Sequence, residues 1–140
     1  QRNASWLREL GAAEVIDYTA APYESQVSDV DAVIDLIGNY ADDTATRSLA
    51  VVRPGGLIVN GPTGSWPTMM QDANAAGVRA TSFRVAPDGT TLAVISRLLD
   101  AGDIRVAVDR LFDLEDAAAA HEAIESGHTR GKLVLRVSEG

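Results

Sequence analysis

Few side chains in this 140-residue chain are arranged for chemistry. Asp31 and Asp35 lie four apart in the run VDAVIDLI and share a face if that run is a strand. Asp35 sits among apolar neighbours, so its carboxylate needs a partner or a cavity to line. Asp109 and Asp113 flank an extended stretch and read as solvated. His121 stands mid-helix among alanines, where packing or a hydrogen bond is its expected role. His128 lies in SGHTRGK beside Arg130 and Lys132, a positive cluster that suits a phosphate as well as a solvated loop. No G-x-S-x-G nucleophile elbow occurs. With no cysteine and two histidines, the chain offers no disulfide, no thiolate ligand and no convincing metal cluster.

Glycines carry the other candidate signals. A dinucleotide fold holds pyrophosphate at G-x-G-x-x-G between its first strand and helix, and that pattern is absent. In RPGGLIV the glycines precede a strand, so Pro54-Gly55-Gly56 is expected to stop a helix instead. Gly38 and Gly61 differ from these. Both fall just past the carboxyl ends of expected parallel strands, where ligands lie in open α/β sheets. A Gly there lets a ring or ribose approach the backbone; a simple turn explains either position equally well.

These residues need a frame. The apolar fraction is ordinary for a globular domain, and the length allows a real core. The net charge of −8 comes from scattered acids and leaves no basic face, which argues against nucleic acid. No apolar run approaches the roughly 18 residues of a membrane span, and QRNASWLREL has no signal-peptide core. No membrane and a cytoplasmic setting are therefore expected. The missing initiator Met and the abrupt helical start suggest a piece of a longer protein.

Hydrophobic spacing predicts a helix over residues 3–10, strands over 14–18 and 30–37, and a helix over 42–52. The near-continuous apolar run 30–37 reads as a strand covered on both faces. A short strand 57–59, a helix 66–76 and an edge strand 78–85 follow. Leu92, Ile95, Leu98 and Leu99 form the stripe of a helix over 91–101 that Gly102 stops. Residues 104–112 are extended, Asp113 reads as the N-cap of a helix to Ser126, and 132–137 is a last, isolated strand. The fold class is α/β, with helices joining parallel strands through right-handed crossovers.

The segments LRELGAAEVIDY, VDAVIDLIG, RSLAVVRPGGLIVNGP and LFDLEDAAAAHEAIESGHTRGKLVLRV occur in that order. Together they resemble the C-terminal half of the medium-chain dehydrogenase/reductase superfamily, in its zinc-independent quinone oxidoreductase-like (zeta-crystallin-like) branch. The resemblance implies a partial Rossmann-type parallel sheet over residues 1–102, holding strands three to six. Residues 103–140 would return to a catalytic domain that, with the Gly-rich loop, is not in this sequence. It further implies an NADPH cofactor, with NADH as the alternative, a quinone, enone or other carbonyl substrate, and a homodimer formed through antiparallel pairing of 78–85.

By the same resemblance Arg2 and Tyr18 approach the 2′-phosphate, while Asp17 beside Tyr18 works against that preference. Gly38, Asn60 and Gly61 meet ribose and nicotinamide; Phe83 and Val85 stand on the nicotinamide side; Arg130 and Lys132 lie in a loop near the cofactor cleft. No catalytic acid or base is implied. Losing the first two strands of a 3-2-1-4-5-6 sheet orphans EVIDY, which must detach, move beside VIDLI, or pair with another chain. Two other readings stay open. One is a class I S-adenosylmethionine-dependent methyltransferase-like domain, which would end in an antiparallel hairpin. The other is a non-catalytic dimerisation module.

Overall fold

The computed structural model describes residues 3–138, and the chain forms two compact units, Gln1–Val85 and Ala86–Gly140. The first unit is built on a parallel sheet of β1 (Val30–Asp35), β2 (Val52–Asn60) and β3 (Arg79–Ser82), in that spatial order. Helices α1 (Ala4–Glu9), α2 (Thr44–Arg47) and α3 (Met69–Ala75) accompany it. The period of two along β2 buries Ile58 and Asn60 on one face. There Ile58 joins Ala45, Val51, Val52, Trp66 and Val78 in the core, with Val33 of β1 packed against it. The other face stays open: Ile34, opposite Val59, is 71% exposed. Sequence reading expected β1 covered on both faces; only one is.

Further expectations fail here. Helix α2 ends in a tight turn, Ser48–Ala50, because Val51 and Val52 are drawn into the core and the Val51 carbonyl accepts the Val30 N–H at 3.0 Å. Arg53-Pro54-Gly55-Gly56 is therefore not a helix stop but a bulge inside β2. The register jumps from Val30 opposite Val52 to Ala32 opposite Leu57. Gly56 fits because a Cβ there would press on the Arg53 and Asp31 carbonyls at 2.9 Å. Residues 14–18, expected as a strand, form no ladder within the chain, so EVIDY does not move beside VIDLI. The third helix begins at Met69 rather than near Trp66, so Pro67 precedes it.

The second unit holds α4 (Gly89–Ala101), β4 (Val108–Asp113), α5 (Ala117–Glu125) and β5 (Lys132–Arg136). Asp88 caps α4 by accepting the Thr90 and Thr91 N–H groups at 3.0 and 3.1 Å. Gly102, at φ +79°, ends the helix as its sequence signal requires. The last strand is not isolated: β4 and β5 pair in parallel, with α5 as the crossover. Such an ending is not the antiparallel hairpin of the methyltransferase reading. Nor does the Asp113 side chain cap a helix. It lies opposite Arg136 in the ladder, and the guanidinium takes it at 2.8 Å.

Candidate functional site

Three polar residues share one row at the carboxyl edge of the first unit's sheet. The parallel register sets Asp35 beside Asn60, and Asn60 beside Ser82. Asp35 and Asn60 are buried, so each needs a partner. Asp35 finds its own in the turn that follows. Its Oδ1 accepts the Ile37 N–H at 2.8 Å and the Gly38 N–H at 3.0 Å, with Oδ2 at 3.1 Å from the same Gly38 nitrogen. Asn60 Nδ2 donates to Ser65 Oγ at 3.2 Å.

The turns after β1 and β2 then close on each other. The Gly61 N–H donates to the Asp35 carbonyl at 2.8 Å. Gly38 holds φ +73° with the Ser65 side chain packed against its Cα. A Cβ on Gly61 would meet Phe83 Cζ at 3.1 Å and Leu36 Cδ2 at 3.2 Å. Protein packing itself therefore demands small residues at 38 and 61. The Tyr40 hydroxyl donates to the Thr63 carbonyl and joins the same two turns. The structure thus brings Gly38, Asn60, Gly61 and Phe83 to one edge, rimmed by the exposed apolar side chains of Leu36 and Ile37. Val85, 82% exposed, lies beyond β3 and has no part in this packing.

Ile37 also reaches a neighbouring cavity of about 730 Å³, lined by Tyr18, Tyr23, Thr44 and Arg47 among others. Tyr23 anchors its wall: the hydroxyl donates to the Thr44 carbonyl at 2.9 Å and lies 2.8 Å from Ser48 Oγ. Arg47 stacks over the Tyr23 ring, with Nε 3.2 Å from Glu24 and Nη2 3.4 Å from Asp42. The contact with Glu24 is one of charge without hydrogen-bond alignment, and Glu24 Oε2 is left as a buried acceptor with no donor. The Thr44 hydroxyl, then its N–H and Arg47, hold the Asp42 carboxyl below its ordinary range.

Of the remaining expected residues, Arg2 lies outside the described ones. Arg130 and Lys132 belong to the second unit, flanking Gly131, whose φ of +95° lets β5 start hard against Ala107. Sequence reasoning missed Ser65, Tyr23, Glu24 and Arg47 as parts of a site. The one local signal was Asp42 two residues before Thr44 at a helix start, a spacing that here closes a short side-chain turn onto the Thr44 N–H.

A family model described as zinc-binding dehydrogenase matches residues 10–135. Over 95% of its length the chain is 31% identical to the mitochondrial NAD(P)H oxidoreductase RTN4IP1 of Danio rerio, covering 40% of that protein. It is 30% identical over 98% of its length to the trans-enoyl reductase poxH of Penicillium oxalicum, covering 41%. Among solved structures, the quinone oxidoreductase from Coxiella burnetii matches 99% of the chain at TM-score 0.88 and 32% identity, with 43% of that chain covered. The chain spans about two-fifths of the length of these curated relatives.

Proposed function

This chain belongs to the zinc-binding dehydrogenase family, and from that premise we propose that it is the cofactor-facing part of an NAD(P)H-dependent oxidoreductase. The reaction is hydride transfer to a quinone, enone or other small carbonyl substrate, with NADPH as the preferred donor. One observation carries the reading: the parallel register gathers Gly38, Asn60, Gly61 and Phe83 at the carboxyl edge of the sheet, where nucleotides bind in open α/β folds.

The donor set fits the ribose, ring and nucleoside parts of a dinucleotide. Flat apolar surface from Phe83 and Ile37 suits a ring, and the cavity beside Tyr18 offers room for a nucleoside. The nicotinamide supplies the hydride; the residues of this chain bind and orient it. Arg2, Tyr18, Val85, Arg130 and Lys132 are assigned to cofactor binding on resemblance. The phosphates have no glycine-rich turn in this sequence, so the chain alone should bind weakly and turn over nothing. Zinc finds no ligand set in these residues either. The chain has no cysteine, and among the described residues no three His, Asp or Glu side chains come together.

The proposal extends to organisation. Residues 1–102 are read as the nucleotide-binding part and 103–140 as a segment returning to a catalytic domain, in a cytoplasmic homodimer joined through the β3 edge. No helix among the described residues is long and apolar enough to cross a membrane. Amide-resolved NMR titration with NADPH and NADH tests the cofactor site. Shifts centred on Gly38, Gly61 and Phe83, with affinity weaker than micromolar, are expected; shifts confined elsewhere would sink the assignment. Light scattering that finds only monomer would remove the dimer.

A further inference from the structure

We propose that Asp35 is a positioning residue for the dinucleotide, holding both ligand-facing turns in their binding shape before the ligand arrives. The proposal rests on the cofactor reading above. Asp35 is 5% exposed, and its two ends grip two different turns. The carboxylate takes the N–H groups of Ile37 and Gly38 at 2.8 and 3.0 Å. The main-chain carbonyl takes the Gly61 N–H at 2.8 Å. One residue therefore fixes both glycines of the edge.

Strand formation gives no reason for a charge at this place. The face that carries Asp35 also carries Val33, which packs on the core, and an apolar residue in the row would be covered there without desolvating a carboxylate. What the carboxylate adds is a fixed acceptor for two turn amides that have no strand to pair with. The single Gly38 N–H is shared between the two carboxylate oxygens, at 3.0 and 3.1 Å. Asn60 and Ser65 extend the brace to the second turn, where Ser65 packs against Gly38. A turn ordered in advance spares the ligand the cost of ordering it.

The test compares the chain with Asp35→Asn and Asp35→Ala by NMR titration with NADPH, together with amide exchange. Asn keeps Oδ1 as an acceptor but puts an NH₂ where Oδ2 met Gly38. The expected dissociation constants rank wild type, then Asn, then Ala, with Ala weaker by about tenfold. Exchange should quicken at Ile37 and Gly38 while the β2 ladder amides of Ile58 and Val59 stay protected. If Ala does not fold, the Asn variant carries the comparison. Equal affinity in all folded forms overturns the proposal, as does loss of ladder protection in step with affinity, which marks a purely structural role. Wild type showing no NADPH shifts at Gly38 or Gly61 instead overturns the cofactor reading, and the proposal with it.

Discussion

The Ser65 side chain stands where a side chain on Gly38 would have to go, and Gly38 itself sits at φ +73°. Two separate penalties therefore meet in Gly38→Ala. Left-handed backbone and overpacking together should cost about 2–4 kcal/mol. Adding Ser65→Gly should relieve the overpacking share and leave the backbone share, so a urea-melt double-mutant cycle should show coupling. Strict additivity would mean that Ser65 is not the obstacle. Gly61→Ala should be milder, about 1 kcal/mol, because the Cβ would meet the far ends of the exposed Phe83 and Leu36 side chains, which can shift, and the Asp35 carbonyl only at 3.3 Å.

The one-sided core makes a contrast within neighbouring strands. Ile58 is fully buried, and Ile58→Ala should cost about 2–5 kcal/mol, Ile58→Val about 0.5–1.5 kcal/mol. Ile34, 71% exposed on the opposite face, should tolerate Ala within about 0.5 kcal/mol. Chemical denaturation of the three variants measures this directly; a large loss at Ile34 would mean that its face is covered after all.

Tyr23→Phe removes a hydroxyl that serves Thr44 and Ser48. Ser48 still reaches the Thr44 carbonyl at 3.1 Å, so no buried hydroxyl is orphaned and the cost should be about 1 kcal/mol. The Arg47 stack over the ring survives the change. A thermal melt showing a loss several times larger would point to a collapse of the cavity wall.

Acid should weaken the fold through carboxylates held by neighbouring hydroxyls. The Thr91 hydroxyl, then the Thr90 and Thr91 N–H groups, lower the Asp88 pKa below 3.8. The Thr68 hydroxyl and the Trp66 indole do the same for Asp72. A depressed folded-state pKa gives stability that is complete above the unfolded value of 3.8 and fades as pH falls through the folded value. The share of stability owed to these two groups should thus be lost only below pH 3.8, and Asp88→Asn should flatten the part of that slope reported by α4. Carboxyl NMR placing either group at or above 3.8 would contradict these hydrogen bonds.

Local signals determined much of this protein in the sequence alone. Alternating and helical spacing, with stops such as Gly102, read out the α/β order, and four segments read out the family. These signals act within a few residues and hold where no distant partner competes with them. Tertiary structure decided what depends on partners from elsewhere in the chain. Residues 14–18 form no strand because a strand exists only in a ladder, and none forms with them in this chain. Pro54-Gly55-Gly56 forms a bulge in β2 because Val51 and Val52 are buried in the core. Asp113 gave up a cap because the β4–β5 register set Arg136 opposite it. The candidate site divides the same way. Gly38 and Gly61 were visible as glycines past strand ends, but only the register of two parallel strands could place both in the grip of Asp35.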